Sequence, residues 1–327
     1  MSTDVAIIGG GIAGLWLLNR LRLLGYDAHL YEKTALGAGQ TIACQGIVHG
    51  GLKYAINSIL PPVASSLRAM PKRWTNCLNG KGEIDLMSVK VLSYKHELRL
   101  QNRMVSLPLW SFPEPVIDIK SLLTTLRDNC QGFVHLGAPR PAQATIFTAG
   151  TGNEYQGTAC QRRPLKMFMV KPNPFGAPVY LHWMGRKNKP VMTVTTHYLG
   201  DEQVLYLGGN VAEKAVGMSD DAALFWAYTE IQYRFPGIPW HKEQWAIHDV
   251  DRAEPENGNT LPEKQRISTQ GNRAIAWPVK MALAPVLADE LIAWLASIGL
   301  RPSKETTVVD LPTPPIAPYP WETSTWR

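Results

Sequence analysis

Three glycines near the start of the chain, Gly9, Gly11 and Gly14, fall at the spacing G-x-G-x-x-G within 5-VAIIGGGIAGLWLLNRLRLLGYDAHLYEK-33. That spacing can hold a phosphate without any charged side chain. Gly9 permits a tight turn, Gly11 lets backbone approach a pyrophosphate, and Gly14 lets a following helix pack close on the strand before it. The unpaired N–H groups at the start of such a helix face the turn and favour an anion there. Glu32 lies 18 residues beyond Gly14, in place to accept hydrogen bonds from an adenosine ribose.

The elements that must position these residues are legible around them. Val5 to Ile8 is a short apolar, β-branched run, as expected of a strand buried on both faces. From Ile12 to Leu24 apolar residues recur at helical spacing, and Gly25 is a natural stop. Ala28 to Tyr31 reads as a second strand ending in Glu32. A strand before the turn, a helix after it and an acid at the end of the next strand make this a nucleotide site, where bare glycines would not.

The 327 residues suggest two domains and a large core. Apolar content of 45% and charged content of 18% are those of a globular protein. No run of 18 apolar residues is present to span a membrane, and Asp4 together with the missing basic n-region argues against a signal peptide. Cys44, Cys77, Cys130 and Cys160 have no C-x-x-C or metal spacing, so free thiols in a reducing cytoplasm are expected and no metal site is. The net charge of +6 is scattered, apart from short clusters such as Arg162–Arg163 and Arg186–Lys187–Lys189. Such a surplus suits an anionic small-molecule substrate or peripheral contact with an anionic membrane surface, and specific nucleic-acid binding would need a denser stripe.

Further along, 37-GAGQTIACQGIVHGGLKYA-55 is glycine-rich and loop-like, and residues 58–80 read as partly helical, broken by Pro61, Pro62 and Pro71. Val89 to Tyr94 is strand-like, and Ile117 to Asn129 is an amphipathic helix candidate. Then 145-TIFTAGTGNEY-155 is a β run ending in a second glycine turn. Lys166–Val170, Val179–Trp183, Val191–Thr196 and Val204–Leu207 alternate with Gly and Pro, which predicts an antiparallel sheet. Residues 220–234 read as a helix, and 274-AIAWPVKMALAPVLADELIAWLAS-297 as strand, proline turn and apolar helix. The tail, 311-LPTPPIAPYPWETSTWR-327, is expected to be an extended strap or disordered.

The fingerprint ending in Tyr31-Glu32-Lys33, the segment 46-GIVHGGLKYA-55 and the closing 271-GNRAIAWPVKMALAPVLADEL-291 together resemble one family. They look like the FAD-dependent oxidoreductases of the D-amino-acid-oxidase superfamily, most of all its glycerol-3-phosphate and 2-hydroxyglutarate dehydrogenase branch. The 145–155 turn and 204-VLYLGGNVAE-213 match more loosely. The resemblance covers nearly the full length and implies an α/β fold: a discontinuous Rossmann-like FAD-binding domain with an inserted antiparallel β-sheet substrate domain. The expected boundaries are 1–80, 117–158 and 267–300 for the FAD-binding parts, 81–116 and 159–266 for the substrate parts, and 301–327 for the tail. The same resemblance implies FAD, held without a covalent bond because Ala43 stands where some relatives have a tethering histidine, its adenine near Glu32 and Lys33 and its pyrophosphate at Gly9, Gly11, Ile12, Ala13 and Gly14. Thr41, Gln45, Gly46, Ala149 and Gly150 would line it, and Lys280, Met281 and Ala282 would pass under the flavin ring.

Three departures matter. About fifteen residues between Asn129 and Thr145 are too few for the family's three-stranded meander, so the chain is trimmed there. The arginine of the family's H-G-G-L-R-Y segment is Lys53, which keeps the charge and loses the bidentate fork. Ala43 stands where some relatives tether flavin through histidine, and the adjacent Cys44 reads as a small buried thiol.

His49 is the first candidate base, because an imidazole in the flavin-side loop can accept a proton near neutral pH. Lys280 could stabilise the anionic edge of a reduced flavin, with Lys53 and Tyr54 facing substrate. Arg163, His182 and His197 join His49 and Lys53 as candidate substrate contacts, within sheet runs that also carry Tyr180, Arg186 and Thr196. Oxidation of a small hydroxy acid or polyol phosphate is the leading reading. An amine or amino-acid oxidase is the second, and a tRNA-modifying or non-catalytic flavoprotein the third. The electron acceptor stays open among quinone, oxygen and a partner protein.

Overall fold

The first strand, β1 (Thr3–Ile8), is buried at all but its last residue, because its apolar run lies at the centre of a sheet covered on both sides. The computed structural model describes residues 3–50, 63–100, 108–185, 190–258, 262 and 264–327. After β1 come α1 (Ile12–Leu23) and β2 (Ala28–Glu32), a right-sized βαβ unit with Val5 paired to Ala28 and Ile8 to Tyr31 in parallel. Next are α2 (Val63–Leu78), β3 (Val91–Ser93), β4 (His96–Leu100), β5 (Pro108–Phe112) and β6 (Val116–Ile117). The chain continues through α3 (Ile119–Asp128), β7 (Val134–Leu136), β8 (Ala142–Phe147), β9 (Cys160–Lys171) and β10 (Tyr180–Met184). It ends with β11 (Pro190–Leu199), β12 (Glu202–Gly208), α4 (Asp220–Arg234), β13 (Gln244–Pro255), β14 (Arg266–Gln270), β15 (Arg273–Trp277) and α5 (Ala284–Ser297).

Among the described residues two large sheets form. The six-stranded one runs β14-β15-β8-β1-β2-β7, parallel except for the edge strand β14. The seven-stranded one runs β13-β9-β12-β11-β10-β4-β5. One core joins them: α1 and α5 contribute Leu15, Leu18, Leu287 and Leu291, and the facing sheet contributes Met167, Met169 and Tyr206. A second core packs the far face of the seven-stranded sheet, through Phe168, Leu181 and Leu205, on Ala223, Ala227 and Ile231 of α4.

Two expectations need correction, and three strands were not foreseen. The second sheet is not purely antiparallel, since β10 lies parallel to β4. Between them the chain visits the six-stranded sheet, so its re-entry direction is not imposed by a hairpin. Pro71 does not break its helix, because α2 runs through it. The lost hydrogen bond, about 3 kcal/mol in an exposed helix, is outweighed by core burial of Leu67, Met70, Trp74 and Cys77. The stretch after Asn129 holds β7, added parallel to β2, before β8 begins. The 12-residue strand β13 and the five-residue β14 also form where the sequence suggested none.

The proline-rich tail is an ordered strap. Leu136 and Leu36 donate backbone hydrogen bonds to Pro312 and Pro315, and Ala317 donates back to Leu36. Tyr319 and Trp321 then stack at 4.3 Å, Trp321 stacks on His197 at 4.7 Å, and its indole N–H reaches Tyr198 O at 3.0 Å. Arg327 pairs with Trp245 through the backbone and with Asp220 and Asp221 through its guanidinium. No helix among the described residues is long and apolar enough to cross a membrane. Because Trp321 is 1% exposed, Trp321→Ala should lower unfolding free energy by about 3–5 kcal/mol, measured by denaturant titration.

Candidate active site

The nucleotide turn is built by close approach. A Cβ on Gly14 would meet Gly9 O at 2.2 Å, so α1 can sit this near β1 only with glycine there. Gly9 itself has φ +112° and packs on Thr148 and Ala149, whose N–H donates to Asn153 Oδ1 at 3.0 Å. At Gly11 the nearest atom to a Cβ is Thr41 Oγ1 at 3.1 Å, and no side chain caps the helix. Thr41 accepts the Ile12 N–H at 3.2 Å, and Ala13 is buried behind it. Glu32 closes the turn: one oxygen accepts Gly10 N–H at 2.8 Å and the other Lys33 N–H at 2.8 Å and Thr34 N–H at 3.0 Å. The Lys33 side chain is exposed. A cradle with room at Gly11, helix N–H groups and an ionisable acid at its rim fits the ADP half of FAD.

The loop that follows is pinned. Gly46, at φ +71°, lies so close to Ile117 that a Cβ would stand 2.2 Å from Ile117 O. The Gln45 amide nitrogen donates to Tyr206 O at 2.9 Å and to Thr193 O and Thr195 Oγ1 at 3.2 Å. Its side chain therefore tethers the loop to the facing sheet. Tyr206 OH donates to Ala43 O at 2.9 Å. Cys44 Sγ lies 3.8 Å from Met281 Sδ, and burial pushes its thiol up to about 11.

In the closing turn Val279 takes φ 62°, a strained conformation for a β-branched residue, just before the half-buried Lys280. Ala282 is anchored by the Trp74 indole N–H, 3.1 Å from its carbonyl. Trp277, 2% exposed at the end of β15, keeps an indole N–H with no hydrogen-bond partner among the described residues. That donor suits a cofactor acceptor. Gly150, at φ 56°, starts the turn after β8.

Beyond the loop, side chains distant in sequence converge. His49 Nδ1 stands 3.5 Å from Glu114 Oε2, and the other Glu114 oxygen accepts Gly50 N–H at 2.6 Å. The His49 ring stacks on His182 at 5.5 Å, and His182 packs on His96 at 4.1 Å. His182 Nδ1 shares a hydrogen with Thr193 Oγ1 at 2.8 Å. Burial works to raise the Glu114 carboxyl. The His49 hydrogen bond and charge, the Gly50 N–H and His96 outweigh it and hold the group below its ordinary value.

His49, Glu114 and His182 offer ligand atoms within 4.8 Å of one another, a spacing that could hold a metal ion. The His49 and His182 rings are near-parallel, at 23°. Glu114 and His96 escaped sequence reasoning. The only signal at Glu114 was an acid flanked by Pro113 and Pro115.

Other candidates are placed differently. Lys53, Tyr54 and Arg186 lie outside the described residues. Arg163 is engaged by Glu254 at 3.1 Å and Glu213 at 3.2 Å, so the structure places its guanidinium between two carboxylates. Thr196 pairs with Leu205 on the face of the second core, opposite His182. His197 shares that inner face and is 2% exposed beneath Trp321, with Nε2 2.9 Å from Thr195 Oγ1. Burial pushes its imidazole down to about 3, so it is neutral and cannot supply charge to a substrate anion.

Comparison with known proteins agrees with this picture. The family described as FAD dependent oxidoreductase (DAO) matches residues 4–106. The chain is 36% identical to the probable FAD-dependent oxidoreductase PA4991 of Pseudomonas aeruginosa over 98% of both proteins, and superposes on the crystal structure of PA4991 with a TM-score of 0.88. L-alpha-glycerophosphate oxidase of Mycoplasma pneumoniae, solved with FAD bound, aligns at TM-score 0.61 and 15% identity, over 97% of this chain and 100% of that one. Glycine oxidase of Geobacillus kaustophilus aligns at 0.57 and 13%, over 91% and 98%. At these identities the last two share the fold.

Two outcomes follow from the site. In Gly11→Val a side chain enters the turn expected to take the pyrophosphate, and the purified variant should lose its flavin absorption band while retaining the fold. His197 and His135 are held by burial at about 3 and about 4, below the ~6.5 of a free imidazole. Above pH ~6.5 they leave stability unchanged. Below it the unfolded chain takes up protons that the folded chain refuses, so the melting temperature should fall from pH ~6.5 towards 4 and below. His197→Gln should flatten part of that slope.

Proposed function

We propose, for a chain that belongs to the DAO family of FAD-dependent oxidoreductases, that the reaction is oxidation of the hydroxyl-bearing carbon of a small hydroxy acid or polyol phosphate. Glycine oxidase and glycerophosphate oxidase share this fold almost equally, so the fold does not select C–N or C–O chemistry. The pair formed by His49 and the buried Glu114 is the observation that favours C–O. A neutral amine can release hydride without losing a proton first. An alcohol has to surrender its O–H proton as the C–H bond breaks, and that demands a positioned base.

FAD, when bound, accepts the hydride. His49 takes the hydroxyl proton, and Glu114 holds the ring and offsets the positive charge that forms on it. His182, beside His49, is the described candidate for holding the substrate's acid group, aided by the basic balance of the chain. Lys53 and Tyr54 keep their proposed place facing substrate on the strength of the H-G-G-L-K-Y segment. Lys280 is assigned to the flavin-ring end of the site by the closing segment's resemblance. The cofactor is held without a covalent bond: Ala43 offers no nucleophile, and Cys44 is a thiol rather than a thiolate.

The test is anaerobic mixing of the yellow protein with panels of hydroxy acids, polyol phosphates and amines, followed at the flavin band. Bleaching by a hydroxy acid or polyol phosphate is expected. His49→Asn should slow that bleaching by roughly 10²–10⁴-fold at unchanged FAD content. Bleaching by amines alone, or an unchanged rate in His49→Asn, would overturn the proposal.

A further inference from the structure

We infer that Glu114 is a positioning residue that selects the tautomer of His49, so that Nδ1–H donates to the carboxylate and Nε2 is the proton-accepting atom. The inference rests on the reading of His49 as base and goes a step beyond it, naming the atom that reacts and the residue that decides it.

Glu114 is built to stay where it is. Pro115 restricts the backbone of the residue before it to extended conformations, and Pro113 fixes its own φ, so the segment entering β6 has little freedom. Glu114 is 7% exposed, and a buried carboxylate is costly unless every oxygen finds a donor. Gly50 N–H supplies one donor at 2.6 Å, and this hydrogen bond also fixes the backbone next to His49. The second oxygen faces His49 Nδ1 at 3.5 Å, a separation that commonly tightens when substrate closes a site.

The titratable groups packed against His49 among the described residues are Glu114 from the segment before β6, His182 from β10 and, behind it, His96 from β4. Of these only Glu114 carries negative charge. An ionised carboxylate accepts and never donates, so the shared hydrogen must come from Nδ1. The lone pair then lies on Nε2, the nitrogen away from the carboxylate.

Glu114→Gln is the informative change. It keeps volume, and its carbonyl can still accept Gly50 N–H. Its NH₂ group then faces Nδ1 and donates, which reverses the tautomer to Nε2–H and removes the base from the reacting position. In protein carrying FAD, ¹⁵N imidazole NMR should show His49 as the Nδ1–H tautomer in the wild type and as Nε2–H in Glu114→Gln. The variant's anaerobic flavin reduction should slow by roughly 10²-fold, and the acid limb of its pH profile should move down by about one unit, because a nearby anion no longer favours the protonated ring. Glu114→Asp, which retains the charge, should recover part of the rate and restore the tautomer.

An Nε2–H tautomer in the wild type overturns the inference without recourse to any variant. So does a Glu114→Gln protein with wild-type tautomer and pH profile. If His49→Asn slows reduction while Glu114→Gln does neither, the base reading stands and this inference fails. If His49→Asn reduces normally, the base reading itself has failed.

Discussion

The segment from Ala43 to Gly50 is held from three directions, and the site depends on that fixation. The Gln45 amide inserts into β11 and β12, Gly46 lies flat against Ile117, and Gly50 N–H is taken by Glu114. Each contact alone is worth only about 1 kcal/mol. Their joint effect is geometric: a loop that begins beside the nucleotide turn delivers His49 to the inner face of the other sheet. Loosening any one anchor would cost little stability and much precision.

Much of this was readable from residue order, and what was not shares a physical cause. The fingerprint, the β-branched runs and the helix at 220–234 are local patterns, and local patterns survive in sequence. The convergence of Glu114, His96 and His182 on His49 is set by strand pairing between segments far apart, including the parallel β10–β4 contact. Nothing near Glu114 announces its partner. Arg163 and His197 show the converse: plausible by type, they are placed by the fold against carboxylates and beneath an indole. Pro71 shows a local rule overridden by burial.

Electrostatics divide the inner face of the second sheet into two zones. Around His197, Thr195, Tyr206 and Trp321 the groups are buried and neutral, and burial drives the Tyr206 hydroxyl well above and the His197 imidazole far below their ordinary values. Around His49 the one buried carboxylate keeps its charge because donors surround it. Charge is therefore concentrated where His49 remains partly open, its side chain 24% exposed. That asymmetry separates the packing histidine from the one proposed as base more clearly than residue type does.

The strap and the closing strand also bear on assembly. Asp4, in the first strand, accepts hydrogen bonds from Ser303, 299 positions away, and Tyr319 OH accepts from Lys120 N–H across 199 positions. The parallel sheet that carries the nucleotide turn gains β14 and β15 only from residues 266–277, and α1 gains its neighbour α5 later still. Contacts so distant must overcome loop-closure entropy before they are rewarded, which makes such topologies slow to fold. The glycine turn is thus written first and completed last. Its sheet and its packing helix are complete only once residues 266–297 are in place, so a chain cut short before them would carry the whole fingerprint and still lack β14, β15 and α5.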